Sequence, residues 1–283
     1  MNRLFVDNLT VIDFAYLDAQ RGLVGESWIV DVELEGELDD QGMVFDFGLV
    51  KRTIKRVIDE TVDHCLVIPM RSPSLESWEK DPQPSVLWRL AGGGLIRHRA
   101  PAQALLCLEE AQLTKAGVAS LLEETLLEIL PSNVLGVHVA LREEVIEGPY
   151  YHYVHGLKKH EGNCQRIAHG HRSRLRIERD GMRDTTLERA WSKTWEDIYI
   201  GTEEDVADRY VDHGMRYVAF RYQANQGEFE LHLPEQRVYM VDTDTTVEWI
   251  ATHLAEACKL QYPTARIRVR AFEGVGKGAI AER

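Results

Sequence analysis

The stretch Tyr151–Leu175, YHYVHGLKKHEGNCQRIAHGHRSRL, constrains this chain more than any other. It sets His155, Cys164, His169 and His171 within a span short enough to close as one hairpin. In an extended strand, side chains two apart share a face, so His169 and His171 look the same way. His155 shares a face with Tyr151 and Tyr153 and can meet them from the neighbouring strand. Three imidazoles turned to one point suit Zn2+ and leave a fourth position open for water or substrate. Gly170 keeps the backbone between two of them free of a side chain. Cys164 has no Cys-x-x-Cys partner, so it reads as a reactive thiol beside a cation rather than a structural ligand. The competing expectation is a surface strand with solvated histidines. A third histidine and a nearby cysteine favour the metal.

Composition limits what such a site can serve. The 283 residues are enough for one large domain or two ordinary ones, and 44% hydrophobic with 28% charged residues is a globular balance. A net charge of −13 argues against nucleic acid as the partner, because phosphate backbones demand a basic face. Lys158, Lys159, Arg166, Arg172 and Arg174 nevertheless concentrate positive charge around the hairpin and are compatible with a small anionic substrate. No apolar run has membrane-spanning length, and the N-terminus lacks a signal-peptide layout. Cys65, Cys107, Cys164 and Cys258 show no paired rhythm, so free thiols in the cytoplasm are expected.

Along the chain, Leu9–Leu17 and Trp28–Glu35 read as strands. Phe47, Val50, Ile54, Val57 and Ile58 fall at helical spacing and predict a helix ending before Pro69. Residues 71–101, rich in Ser, Pro and Gly, read as an irregular excursion. A second helix fits 116–130, followed by a strand over 134–142. This order predicts an α+β unit with helices on one face of an antiparallel sheet. Glu147-Gly148-Pro149 is the boundary, giving units 1–147 and 148–283. Beyond it the order returns: strands 150–158 and 171–179, a helix over 245–258 and a strand over 266–272. Two units of one kind in tandem are expected. The segment 191–240 departs from the first half, with a helix-like GTEEDVADRYVDH and an inserted or remodelled hairpin around Asn225-Gln226-Gly227.

The spacing YHYVHGL…CQRIAHGHRSRL resembles the zinc-and-cysteine hairpin of the 6-pyruvoyl-tetrahydropterin synthase / 6-carboxytetrahydropterin synthase family. GMVFDFGLVK (42–51) and VDHCLVIP (62–69) resemble that family's entry to its first helix and its Asp-His segment. DTTVEWIA (244–251) resembles the Thr-x-Glu start of its second helix. RVRAFEG (268–274) resembles its strand ending in a pterin-anchoring Glu. The resemblance implies tandem tunnelling-fold (T-fold) units assembled as a homo-oligomer, with Zn2+ on His155, His169 and His171. It implies a lyase acting on 7,8-dihydroneopterin triphosphate to give a 6-substituted tetrahydropterin, Cys164 serving as base. Asp63 and His64 become the second proton carrier, the competing expectation being a helix-end pair. Glu273 is the pterin anchor with Glu143 as rival, either being readable as an ordinary strand-end acid. Thr246 falls in the substrate-side pattern, although a helix-capping role for Thr245, Thr246 and Glu248 is favoured. Lys277 in GVGKG offers a phosphate contact or merely a turn.

The first half departs from the pattern, with Glu26-Ser27-Trp28 where His-Gly-His belongs. It cannot build the metal site. In the second half only Asp212-His213 stands in for the Asp-His segment. The resemblance therefore implies divided labour: zinc and Cys164 from the second half, Asp63 and His64 from the first, across an interface. Two further functions stay open: a zinc- and pterin-binding protein without turnover, and an enzyme on another purine-like heterocycle.

Overall fold

The computed structural model describes residues 1–283 as an α+β chain in which one topology occurs twice. The first half opens with a long antiparallel hairpin, β1 (Asn2–Asp18) and β2 (Gly22–Gly36), then α1 (Phe47–Thr61) and β3 (Leu66–Pro69). A meander follows, β4 (Leu75–Glu79), β5 (Ser85–Arg89) and β6 (Leu95–Arg99), before β7 (Leu105–Leu108), α2 (Lys115–Ile129) and β8 (Val134–Glu143). The second half repeats this with β9 (Tyr150–His155), β10 (His169–Arg179), a short β11 (Met182–Arg183), α3 (Thr185–Thr194) and β12 (Ile198–Thr202). Its own meander is β13 (Val206–Asp212), β14 (Met215–Ala224) and β15 (Gly227–Pro234). Then come β16 (Val238–Val241), α4 (Val247–Gln261), β17 (Ile267–Phe272) and β18 (Gly278–Glu282).

Five strands match in order, β7-β3-β1-β2-β8 in the first half and β16-β12-β9-β10-β17 in the second, where β18 adds an outer strand and β11 pairs with β10. In each, the hairpin pairs antiparallel and the strand after the first helix joins it in parallel. These are two tandem T-fold units. The two meanders join into a third sheet, β13-β14-β15-β6-β5-β4, stitched by the antiparallel pair β15–β6.

Two predicted segments are corrected here. Residues 71–101 are three strands rather than an irregular excursion, and they have their counterpart in β13–β15, so the second half carries no unmatched insertion. The segment GTEEDVADRYVDH is strand, not helix: only Glu203–Asp205 makes a 3-10 turn, and 206–212 pairs with β14. The acidic run Glu203-Glu204-Asp205 gives helical composition, but the ladder with β14 overrides it. The helix of that region is α3, capped by Asp184, whose side chain accepts from Leu187 N.

Three apolar clusters hold the chain. Val50, Ile54 and Ile58 of α1 and Val118, Leu122 and Leu126 of α2 pack on one face of the first sheet, against Phe14, Val30 and Val32. Ile250, Leu254 and Cys258 of α4 do the same on the second, against Tyr153, Leu175 and Ile177. Ala15, Leu17, Leu66 and Ile68 turn the other way and meet Val154, Ile167, Phe220 and Leu231 in a cluster shared by both halves. β1 is thus buried on both faces around residues 12–17, which is why its sequence is continuously apolar rather than alternating. The two hairpins touch where glycine allows it: a Cβ on Gly25 would stand 2.0 Å from the Tyr153 carbonyl oxygen, and one on Gly170 would stand 2.7 Å from Gly25 Cα. No helix is long and apolar enough to cross a membrane.

Candidate metal and proton-transfer site

The antiparallel register of β9 and β10 sets His155 opposite His169 and Tyr153 opposite His171. All three histidines therefore share one face, and all three are buried. Their rings cluster, with centroids 4.5 Å apart for His155–His169, 5.3 Å for His155–His171 and 5.7 Å for His169–His171. Each ring is fixed through Nδ1. His155 Nδ1 donates to the Thr245 carbonyl at 2.9 Å and His169 Nδ1 to the Arg166 carbonyl at 2.8 Å. His171 Nδ1 stands 3.1 Å from Asp13 Oδ1, oblique to a good hydrogen bond but facing its charge.

With the proton on Nδ1, His155 and His169 each carry a lone pair on Nε2. His155 Nε2 faces His171 Nε2 at 3.2 Å, a contact in which the His171 tautomer decides the donor. His169 Nε2 is buried with no partner at all. Such an arrangement is costly unless a cation sits among the three, and Nδ1 anchored on a carbonyl or carboxylate is how metal-binding histidines are oriented. Burial, then the neighbouring rings, holds His155 and His169 far below the usual histidine range, so both are the neutral form a metal needs. The residues fit zinc, whose chemistry when bound is to polarise a coordinated oxygen and make its neighbouring protons acidic.

The first half supplies the other wall. Asp63 and His64 end the turn after α1, and Asp63 accepts from the backbone of Asp13 at 2.8 Å. His64 takes a left-handed φ of 58°, a conformation uncommon outside glycine, which aims its ring across the interface. Its Nδ1 is 2.7 Å from Asp63 Oδ2 and its Nε2 is 3.3 Å from Cys164 Sγ. Burial alone would lower its pKa; the hydrogen bonds and charges of Asp63 and Cys164 outweigh it and push His64 up to about 10. Cys164, His64 and His169 place their donor atoms within 4.8 Å of one another, so this relay opens directly onto the histidine cluster. The interface the resemblance implies between contributing halves lies inside one chain.

Of the remaining predicted residues, Glu273 reaches the cluster: Oε1 is 4.0 Å from His171 Nε2 and Oε2 is 3.8 Å from Lys277 Nζ. Glu143 is held by Lys115 at 2.6 Å on the flank of β8. Thr246 caps α4, accepting from Trp249 N, while its neighbour Thr245 is the one that anchors His155. Asp212-His213 sits at the exposed β13–β14 turn, away from both hairpins' cores; the position matching Asp63-His64 after α3 is Glu196-Asp197, where Asp197 repeats the positive φ at 54°.

Two residues of the site were not singled out in the sequence. Asp13 is buried, accepts from Ser27 Oγ, faces His171 and binds Lys277 Nζ at 3.1 Å. Burial opposes its ionisation, but His171 and Lys277 hold it well below the ordinary carboxylate range. A lone acid within the apolar run VIDFAYL was the available signal. Arg166, buried beside Cys164, gave none: it reads as one of several basic residues on a hairpin.

Comparison with known proteins agrees with the sequence resemblance. The family model described as 6-pyruvoyl tetrahydropterin synthase matches residues 15–131. A protein of Pyrococcus abyssi provisionally named 6-carboxy-5,6,7,8-tetrahydropterin synthase is 26% identical over 138 residues, 49% of this chain and 79% of its own length. Its namesake in Pyrococcus horikoshii is 23% identical over the same extent. The crystal structure of 6-pyruvoyl tetrahydropterin synthase from Plasmodium vivax aligns with 50% of this chain and 97% of its own, at 18% identity and a TM-score of 0.37, too slight a likeness to build on. The family match falls on the half without the histidine triad, while the hairpin that carries the resemblance lies in the other half. Taken together, residues 15–131 are similar to the 6-pyruvoyl tetrahydropterin synthase family, and about half of the chain aligns with the two archaeal relatives.

Proposed function

We propose that this chain is a zinc-dependent lyase of pterin synthesis, acting on 7,8-dihydroneopterin triphosphate to give a 6-substituted tetrahydropterin. The two working units are 1–147 and 148–283, with Zn2+ held by His155, His169 and His171 of the second. The observation that carries this reading is the contact of Cys164 Sγ with His64 Nε2 at 3.3 Å, beside three imidazoles whose Nε2 atoms converge.

Each residue then has a task. Cys164 removes a proton from the substrate side chain, and the charged His64 at its edge stabilises negative charge on the sulfur. Asp63 fixes the His64 tautomer and ring, so the proton returns along a defined path. Asp13 orients His171 and Thr245 orients His155. Glu273 accepts paired N–H groups from the aminopyrimidinone edge, a geometry suited to a carboxylate. Lys277, between Asp13 and Glu273, sets its ammonium group against both carboxylates.

The test is turnover of 7,8-dihydroneopterin triphosphate by zinc-loaded protein, followed by release of triphosphate or of a side-chain fragment. Cys164→Ala is expected to lower kcat by about a hundredfold or more with substrate binding retained. Wild-type protein that binds pterin yet turns nothing over identifies a binding protein instead. Thermal shifts caused by purines but not pterins identify an enzyme on another heterocycle.

A further inference from the structure

The tip of the β14–β15 hairpin reaches out of the third sheet and lands on the turn that carries Cys164. There Gln226, half-buried, uses its backbone N and both ends of its side-chain amide on that turn's flanks. Its backbone N donates to Gln165 Oε1 at 2.6 Å, and its side-chain Nε2 donates to Asn163 Oδ1 at 2.8 Å. Its Oε1 accepts from Arg166 Nε at 3.0 Å. Tyr222, on the same hairpin, donates its hydroxyl to the Gln165 carbonyl at 2.7 Å. The residues gripped are 163, 165 and 166, the immediate neighbours of Cys164.

Arg166 continues the chain of contacts into the first half. Its Nη1 donates to the Asp63 carbonyl at 3.3 Å and to Cys65 Sγ at 3.2 Å, the two residues flanking His64. The guanidinium is buried and has no carboxylate partner, so its orientation depends on these neutral acceptors and on Gln226. Both members of the Cys164–His64 contact are thus held by their chain neighbours, and the two holds meet at the Gln226–Arg166 bond.

We propose that Gln226 is a positioning residue, which sets the distance between Cys164 and His64 through Asn163, Gln165 and Arg166. The proposal rests on the reading that Cys164 and His64 act as a pair. In this view the third sheet is part of the site's machinery: it carries no reacting group but determines whether the sulfur meets the imidazole.

The full-length protein tests this without any substrate. Alkylation of Cys164 by iodoacetamide, followed by peptide mass mapping, reports how well the sulfur is activated, and exposed Cys107 serves as the internal control. His64→Ala is expected to slow Cys164 alkylation about tenfold, because it removes the imidazole that contacts the sulfur. Gln226→Ala is expected to slow it nearly as much, with melting temperature and zinc content unchanged. Adding Gln226→Ala to His64→Ala is expected to produce no further loss, as for two residues acting through one contact. Gln226→Glu keeps an acceptor for Arg166 and, once the Asn163 amide turns, a bond to it; it is expected to restore the rate. With substrate, Gln226→Ala lowers kcat and leaves KM in place. Unchanged or faster alkylation in Gln226→Ala, or losses that simply add with His64→Ala, overturn the positioning role. If His64→Ala itself leaves the rate untouched, the pair is not a unit and the underlying reading falls with it.

Discussion

The hairpins β1–β2 and β9–β10 occupy the same place in two copies of one topology, yet only one carries the histidine triad. Phe14 pairs with Glu26 in the first as His155 pairs with His169 in the second, and Ile12 with Trp28 as Tyr153 with His171. The positions holding three imidazoles in one hairpin hold an aromatic ring, a buried carboxyl and an indole in the other. Nearby, the first hairpin carries its own cation: Arg21 binds Asp197 at 2.6 and 2.9 Å and the Tyr16 hydroxyl at 2.8 Å. Asp197 comes from the turn after α3, the counterpart of the turn after α1 that delivers His64. Each half therefore reaches across to the other's hairpin, one bringing His64 to Cys164 and the other forming an ion pair. The crossing is common to both halves, while the groups it brings together differ.

The largest effect that separates the two ends is metal content. Wild-type protein is expected to hold about one zinc per chain, and His169→Ala nearly none, with turnover lost alongside. Glu26→Ala, at the matching place, is expected to leave zinc content as it was. About two zinc ions per chain, both tightly held, would break the comparison outright.

Smaller is the effect of the first half on the second half's metal. Asp13 lies on β1 but faces His171 Nδ1 at 3.1 Å. Asp13→Asn removes the charge that orients that ring, and zinc affinity is expected to fall about 10- to 100-fold in a chelator competition. An unchanged affinity would mean that the second hairpin holds its ion unaided, and that the halves cooperate only in proton transfer.

Much of this was legible in the sequence, for reasons tied to range. The period-two spacing of His169 and His171 and the helical stripe Val50, Ile54, Ile58 are local signals, and both elements formed as the spacing predicts. β1, running from Asn2 to Asp18, is longer than its apolar core, because its polar N-terminal part is held by the ladder with β2. The meander over 75–99 was hidden by Pro and Gly at its turns and by strands of only five residues. Its partner β15 lies more than a hundred positions away, and a strand defined by such a partner has no local mark. The site divides the same way: its three histidines were visible because one hairpin holds them. Asp13 and Arg166 enter through contacts between halves, and Gln226 through contacts with residues 60 to 63 positions away in its own half; neither composition nor spacing encodes such contacts.

The smallest expected effect is also the one that compares the hairpins most directly, since burial acts on both with opposite sign. Glu26 is almost fully buried, and its one close hydrogen-bond donor is the backbone N of Ser27 at 2.9 Å; His152 Nδ1 is 4.0 Å away. Burial raises its carboxyl to about 7 from an ordinary 4.5. A carboxyl raised on folding binds its proton more tightly in the native state, so its contribution is favourable below about 4.5 and is lost as pH climbs through 7. In the metal-free protein His155 and His169, held low by burial, run the other way: they favour folding at neutral pH and cost stability as pH falls below the ordinary histidine value. Glutamine at position 26 cannot ionise. Glu26→Gln is therefore expected to raise stability at pH 8 by about 2 kcal/mol, with the gain vanishing near pH 4, in denaturant unfolding of metal-free protein. Equal stabilities at both pH values would show that Glu26 ionises freely in the fold. In that case the first hairpin keeps an ionised carboxylate at the position where the second keeps His169.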